Sequence, residues 1–269
     1  MTSTDFPALV AASLAGLLVG AAMNRMLPLR PGRGFSLGAW AACRVCGKRL
    51  PWRAFIPGGE LFPGPPPPCG HRPPRWHGWN LAWLMLAGAA LALAYRGQPW
   101  PELGFALALL FVLHPLAVVD AISLSVEMRL VLGGLALRFV GLGLHAPPQL
   151  PDMIGGMLVG AGLFTMVEMA YRTLRNRVGL GEGDAAVMGL IGAFVGWQGV
   201  LPVVALSAIA GLVVGVPWLW WRRGSLAHPL PYVPFLATAA GAVYLLQTVS
   251  AGRWWPPLLA DFALYGMRR

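Results

Sequence analysis

The sequence predicts an all-α polytopic membrane protein with about eight transmembrane helices. Of its 269 residues, 57% are hydrophobic and only 11% are charged, whereas soluble domains carry about 25% charged residues. Apolar segments that approach the roughly 20 residues needed to cross a bilayer recur along the whole chain. They lie near 7–27, 78–95, 101–120, 130–146, 153–171, 185–198, 201–221 and 232–250. A soluble helical protein is therefore strongly disfavoured.

Basic residues follow a topological pattern. The formal net charge is +10, and eight of the 20 Lys and Arg residues lie in the segment 28–77. If the N-terminus lies outside, most of the others also fall in inner loops, as the positive-inside rule requires. We therefore predict an even number of spans. This topology accounts for the excess of basic residues, so no nucleic acid is expected as a partner. The expected environment of the chain is a lipid bilayer.

The first apolar segment is expected to remain as a membrane anchor. The acidic Asp5 precedes its apolar run, and its basic residues follow that run. A cleaved secretory signal has the opposite charge order. The chain is accordingly divided into an anchor at 1–27, a cytoplasmic loop domain at 28–77 and a transmembrane domain at 78–269.

Two aspartates occupy matching places at the ends of predicted spans. Asp120 ends the third span in HPLAVVDAISLSVEMRL, and Asp184 opens the sixth in GLGEGDAAVMG. The predicted topology places both at the inner face, and an ionisable residue at membrane depth is a functional candidate. Two carboxylates in one site share a proton, so that one can activate water while the other polarises a carbonyl. From spacing alone, two structural carboxylates paired with Arg129 or Arg177 stay open as the alternative.

Three glycines precede or flank the second aspartate, at positions 179, 181 and 183. Glycine lets a substrate backbone come close, because it has no side chain. We therefore expect an open approach to Asp184 along this stretch.

The order of several motifs resembles the type IV prepilin peptidases, membrane aspartic proteases that process type IV prepilins and type II secretion pseudopilin precursors. AVVDAISLSVEMRLVLGGL resembles the first aspartate motif, and YRTLRNRVGLGEGDAAVMGLIGAFVGWQ resembles the G-x-G-D-x-K motif. GAAMNRMLP near the N-terminus and HPLPYVPFLATAAG near the C-terminus resemble two further segments. The resemblance implies that Asp120 and Asp184 are catalytic, at the cytoplasmic face of the cell inner membrane, with the N-terminus in the periplasm.

The resemblance also implies substrates and a second reaction. The expected partners are prepilin or pseudopilin precursors, and the newly exposed N-terminal residue would be methylated with S-adenosylmethionine as the cofactor. Three positions depart from the family's pattern. Ala186 stands where the second motif has Lys, Ile122 where an acidic residue is common, and Glu127 where Pro is expected. The lost Lys changes the charge beside Asp184, so a weak enzyme, an enzyme with an unusual pH optimum and an inactive relative all stay open.

All three cysteines lie in the predicted inner loop. Cys43, Cys46 and Cys69 resemble the two CxxC pairs that bind zinc in the family. His71 completes a Cys₃His set, which suits tetrahedral zinc, and His77 is a weaker alternative as the fourth ligand. We therefore expect a structural zinc on Cys43, Cys46, Cys69 and His71, against the alternative of a loop that has lost its metal.

Two other function classes stay open. Intramembrane carboxylates also serve proton-coupled transporters, but such transporters carry inverted repeats and midplane charges. The sequence shows no internal repeat, and both aspartates are predicted at one face. A non-catalytic, peptidase-like assembly protein would explain the missing Lys and the incomplete cysteine set.

Two further charged residues lie inside predicted spans. Arg138 falls in the fourth and Glu168 in the fifth. Charges at membrane depth usually pair with one another, so these two are expected to pair across the bundle.

Overall fold

A computed structural model of the chain describes residues 5–26, 76–95, 100–145, 150–175, 181–215, 217 and 230–249. Every regular element in these ranges is a helix, in agreement with the predicted all-α class. The helices are α1 Asp5–Met26, α2 Trp76–Ala94, α3 Trp100–Ser123, α4 Met128–His145, α5 Leu150–Arg175, α6 Glu182–Ala210 and α7 Val233–Val249, with a π-helical turn at Gly211–Gly215 directly after α6.

Several helices have the length and composition of membrane spans. Three stretches of the described chain are long and apolar enough to cross a bilayer, namely Pro101–Ser123, Leu150–Arg175 and Gly183–Gly215. Shorter apolar helices occur at Pro7–Met23, Ala82–Ala94 and Val233–Thr248. The surface of α5 exposes large apolar side chains such as Met166, Met169 and Leu174. An exposed apolar surface of this kind is typical of contact with lipid.

The helix α6 reverses direction at Gly196. This glycine has φ 69° and ψ 171°, a conformation that residues with a side chain rarely adopt. Gly183 packs against Val126, just after α3, while Ser207 is 2.8 Å from the Tyr232 hydroxyl, just before α7. The end of α3 and the start of α7 are themselves hydrogen-bonded, as described below. A straight helix would separate Gly183 from Ser207 by about 36 Å, so the two halves of α6 run antiparallel.

The predicted segments 185–198 and 201–221 therefore correspond to the two antiparallel halves of α6, which meet at Gly196. The sequence-based boundary at 198–201 lies close to the reversal at Gly196, and the second segment ends in the π-helical turn.

The closest helix packing joins α5 to the first half of α6. A Cβ atom added at Gly160 would lie 2.5 Å from the backbone oxygen of Met188. A Cβ added at Gly156 would overlap the carbonyl of Gly192, and one added at Gly192 would overlap that of Gly156. The residue numbers of the contacting positions rise along α5 and fall along α6, so the two helices are antiparallel. Glycine at these positions lets the two backbones touch.

Gly156→Ala is expected to lower thermal stability, because the new methyl group would meet the backbone of α6 and force the helices apart. Overpacking of this kind typically costs about 1–3 kcal/mol. Gly162→Ala is the matched control on the same helix, since nothing lies within 4 Å of a Cβ there. Its stability should stay unchanged or rise slightly, because alanine favours the helix. Thermal unfolding in detergent measures both, and equal losses would contradict the close α5–α6 contact.

Arg138 and Glu168 do not pair, so that expectation is wrong. Arg138 Nε donates to the backbone oxygen of Ala193 at 3.2 Å, in a region that also contains Asp152 of α5. Glu168 accepts a hydrogen bond from Arg172, one turn along its own helix, at 3.3 Å. The α-helical rise from Asp152 to Glu168 is about 24 Å. Arg138, which lies near Asp152, is therefore at a different depth from Glu168.

Candidate active site

Asp120 is a buried carboxylate held by the start of another helix. It lies in the last turn of α3 and is 5% exposed. Its Oδ2 accepts a 3.0 Å hydrogen bond from the backbone N–H of Val233. Val233 is the first residue of α7, so a side chain from α3 caps the N-terminus of α7. Unpaired amides at a helix start are suited to hold a carboxylate.

Asp184 is held in a similar way at the start of its own helix. It lies in the first turn of α6, and its Oδ2 accepts a 3.2 Å hydrogen bond from the backbone N–H of Gly181. Its own N–H donates to the carbonyl of Gly181 at 3.0 Å. Its Oδ1 accepts no hydrogen bond from the part of the chain that the structure describes. One oxygen is therefore fixed, and the other is available to a ligand.

The two aspartates lie at the same end of the helix bundle. The start of α6 packs on the connection between α3 and α4, because a Cβ at Gly183 would lie 2.6 Å from Cβ of Val126. Asp184 is close enough to Asp120 for the two charges to interact. The fold thus brings together two carboxylates that are far apart in the sequence.

The expected open approach is not found at Gly183. The space that a side chain would take there is filled by Val126, which packs against the core. This glycine serves contact between two protein segments rather than access to a substrate. Gly181 is exposed, and Gly179 lies outside the described residues.

Arg129 does not pair with either aspartate, contrary to the alternative in which arginines neutralise them. Arg129 Nε lies 3.7 Å from Glu127 Oε1, and the pair is at the surface. Within the described ranges, no Lys or Arg forms an ion pair with either aspartate, and Arg177 lies outside those ranges. Ala186, in the place of the expected Lys, packs against the apolar core and supplies no charge.

The aspartate pair is recessed along the bundle. The antiparallel contacts of α5 and α6 put Asp184 level with Phe164. The Phe164 ring is 6.2 Å from the ring of Tyr232, and the next residue, Val233, donates its backbone N–H to Asp120. Arg172 lies eight residues beyond Phe164, which is about 12 Å further along α5. Both aspartates therefore lie below the level of the basic residues that end α5.

Two further segments complete this end of the bundle. Met23 of α1 packs against Val119, the neighbour of Asp120, so the motif GAAMNRMLP begins beside the first aspartate. An apolar pocket of about 190 Å³ adjoins the start of α7 and is lined by Val214, Gly215, Leu230, Pro231, Pro234 and Phe235.

The sequence alone does not indicate the role of the C-terminal motif. HPLPYVPFLATAAG resembles a segment of the family, but its residues alone predict no function. The structure places the backbone amide of Val233 on Asp120. The signal that was present is Pro234, because proline is favoured in the first turn of a helix and so marks its start.

The predicted zinc ligands Cys43, Cys46, Cys69 and His71 lie outside the described residues. Within the ranges that are described, no group of three or more His, Cys, Asp or Glu side chains is placed to hold a metal ion.

Comparison with known proteins places these helices in a family. The model of the type IV leader peptidase family matches residues 105–216, a range that contains both aspartates. The leader peptidase HopD of Escherichia coli is 38% identical over 110 residues, which cover 40% of this chain and 69% of that protein. The chain belongs to the type IV leader peptidase family. The resemblance inferred from the motifs is thereby confirmed.

Two longer matches extend the comparison. A prepilin leader peptidase/N-methyltransferase of Pseudomonas putida is 31% identical over 197 residues, covering 64% of this chain and 67% of that protein. One of Aeromonas hydrophila is 30% identical over 182 residues, covering 66% of this chain and 61% of that protein. The chain thus spans about three fifths of the length of the Aeromonas relatives it matches. No solved structure matches the chain.

Proposed function

We propose that this member of the type IV leader peptidase family is an intramembrane aspartic endopeptidase. Its substrates are type IV prepilins or type II secretion pseudopilins, from which it removes the leader peptide. The observation that carries the proposal is the approach of Asp120 and Asp184 at one end of the bundle, each oriented by a backbone amide. The names of the relatives, prepilin leader peptidase/N-methyltransferase and leader peptidase, support the substrate class.

The chemistry divides between the two carboxylates. Close carboxylates titrate as a pair and share one proton near neutral pH. The ionised member accepts a proton from a water molecule, whose oxygen attacks the scissile carbonyl carbon. The protonated member donates to the carbonyl oxygen, and a proton then passes to the leaving amine as the C–N bond breaks.

Main-chain donors orient both catalytic groups. The amides of Val233 and Gly181 belong to helix starts, which are more rigid than long side chains. Such supporting contacts hold a catalytic group within the narrow geometry that the reaction needs. The apolar pocket beside α7 is suited to an uncharged side chain of the substrate next to the scissile bond.

The proposal includes a membrane topology. Eight spans result if α1, α2, α4 and α7 cross the inner membrane together with α3, α5 and both halves of α6. With a periplasmic N-terminus, the aspartates then face the cytoplasm, as does the loop domain 28–77. The recessed site must admit water from that side, since hydrolysis consumes it. N-methylation with S-adenosylmethionine is included because the relatives' names state that activity.

A cleavage assay tests the proposal. The full chain, purified in lipid nanodiscs, is incubated with a full-length prepilin, and the products are identified by mass spectrometry. We expect one cut at the leader junction, and one added methyl group on the mature product when S-adenosylmethionine is present. A prepilin that stays intact, under conditions in which the P. putida relative cuts it, would favour the non-catalytic assembly role. Cleavage without methylation would limit the proposal to the peptidase.

The predicted zinc site is a separate part of the proposal. We expect one zinc per chain, held by Cys43, Cys46, Cys69 and His71, because a small loop gains much of its stability from bound metal. Elemental analysis of the purified protein measures the content. His71→Asn should lower it, and His145→Asn, a matched change outside the proposed ligand set, should not. Chelation should weaken substrate docking or stability and leave the chemistry of the aspartates intact. A wild-type protein purified without zinc would contradict the site.

A further inference from the structure

A polar pocket of about 250 Å³ lies far from the aspartate pair, around the reversal of α6. Residues from α4, α5, α6 and α7 line it, including Arg138, Asp152, Trp197, Gln198 and Gln247. The rise from Asp184 to Gly196 along α6 is about 18 Å. The pocket therefore belongs to the opposite end of the bundle, and the proposed proteolysis does not use it.

Arg138 is a buried charge with unused donors. It is 6% exposed, and its guanidinium carbon lies 4.3 Å from the ring centroid of Phe105 and 5.2 Å from that of Phe194. Its Nε donates to the Ala193 carbonyl. Its two terminal amino groups donate no hydrogen bond to the residues that the structure describes. Buried donors without acceptors are costly, so acceptor oxygens are required in this pocket.

The charges around the pocket favour a zwitterion. Asp152 lines the pocket from the exposed start of α5. A purely anionic ligand would be repelled by Asp152, and a purely cationic one by Arg138. The arrangement suits a ligand with its negative group at Arg138 and its positive group at Asp152. Trp197, 47% exposed, adds an aromatic face that attracts primary and quaternary ammonium groups alike, so the choice between them depends on hydrogen bonding to Asp152.

The helix α5 puts the pocket at the depth of lipid headgroups. Asp152 and Arg172 are twenty residues apart, or about 30 Å along the helix, which equals the thickness of a bilayer's hydrocarbon core. Between them, α5 exposes Leu158, Val159 and Met166. If Arg172 lies at one interface, Asp152 and the pocket lie at the other.

We propose that this pocket binds the headgroup of a zwitterionic phospholipid that carries a primary ammonium, of the phosphatidylethanolamine class. The phosphate oxygens accept hydrogen bonds from the terminal amino groups of Arg138, and the ammonium donates to Asp152. The bound headgroup fills the space beside Gly196 and so stabilises the reversal of α6. The inference depends on the membrane location of the chain and not on its peptidase activity.

Native mass spectrometry of the full chain in detergent tests the proposal. The protein is titrated separately with phosphatidylethanolamine, phosphatidylcholine and phosphatidylglycerol, and the fraction that retains one lipid is measured. We expect wild-type protein to hold phosphatidylethanolamine about tenfold more tightly than phosphatidylglycerol, as the gain of a charge-assisted hydrogen bond would give. Phosphatidylcholine should bind more weakly than phosphatidylethanolamine, because its quaternary ammonium cannot donate to Asp152.

Variants separate the two halves of the headgroup. Arg138→Gln should lose about tenfold in retention of every phospholipid, since all share the phosphate. Asp152→Asn changes an exposed residue and leaves the core untouched. Its lipid selectivity, compared with that of the wild type, therefore gives the decisive test. It should keep lipid binding and lose the preference for phosphatidylethanolamine over phosphatidylglycerol.

Matched controls carry the same chemical changes elsewhere. Arg175→Gln and Glu127→Gln alter exposed or surface-paired residues away from the pocket, and both should bind lipids as the wild type does. Equal retention of the three lipids by wild-type protein would overturn the proposal. Unchanged selectivity in Asp152→Asn would overturn it equally.

Discussion

Asp120→Asn and Asp184→Asn are each expected to reduce prepilin cleavage by about 10²- to 10⁴-fold, the range of general acid–base catalysis. Asn keeps the size of the side chain, and its amide oxygen can still accept the hydrogen bond from Val233 or Gly181. It cannot take up a proton. The loss should therefore be chemical, and the variants should insert and unfold like the wild type. Single-turnover cleavage with excess enzyme measures the rate, and thermal unfolding in detergent measures the stability.

Glu182→Gln is the control for these variants. It changes a carboxylate to an amide two residues before Asp184, in the variable position of the motif. We expect cleavage close to that of the wild type. Full activity in either aspartate variant would refute the aspartic mechanism. A loss of activity that is accompanied by unfolding would show that the carboxylates are structural helix caps instead.

Val233→Pro is expected to reduce cleavage by about 10- to 100-fold. It removes the N–H that donates a hydrogen bond to the Asp120 carboxylate. A hydrogen bond to a charged group is worth about 1.5–3 kcal/mol. Val233 is the first residue of α7, where proline is well tolerated because the N–H takes no part in the helix. The change thus deletes one donor and keeps the helix. The rate of prepilin cleavage is measured as for the aspartate variants.

Val233→Ala is the matched control, because it shortens the side chain and keeps the N–H. Val233 is fully buried, so this variant should lose some stability but most of its activity should remain. If Val233→Ala is as slow as Val233→Pro, packing at this position matters and the backbone donor does not. If both are as fast as the wild type, the amide of Val233 has no role in orienting Asp120.

Much of the helical layout follows from the sequence, because long apolar segments have few stable alternatives in a membrane. The reversal inside α6 does not. GLIGAFVG contains Gly192, which touches the backbone of α5, and Gly196, which turns the chain. Both are glycines in one apolar run, and hydrophobicity alone does not distinguish packing from reversal.

The aspartate pair could be anticipated, whereas its supporting contacts could not. Asp120 and Asp184 stand out because charge is rare in this chain. The donor to Asp120 is a backbone amide, which every residue except proline possesses, so only the three-dimensional arrangement selects Val233. The expected pairing of Arg138 with Glu168 is wrong, because the sequence does not show how deep in the bundle each side chain lies. Arg138 lies instead between two aromatic rings.

The central claim is that Asp120 and Asp184 act together in one site, and the double variant tests it most directly. Residues that act as a unit show strongly non-additive losses. The residual single-turnover rates of Asp120→Asn, Asp184→Asn and the double variant are compared on the same prepilin. A double variant no slower than the slower single variant is the predicted result. Losses that multiply would mean that the two aspartates contribute independently, and would contradict a shared catalytic site.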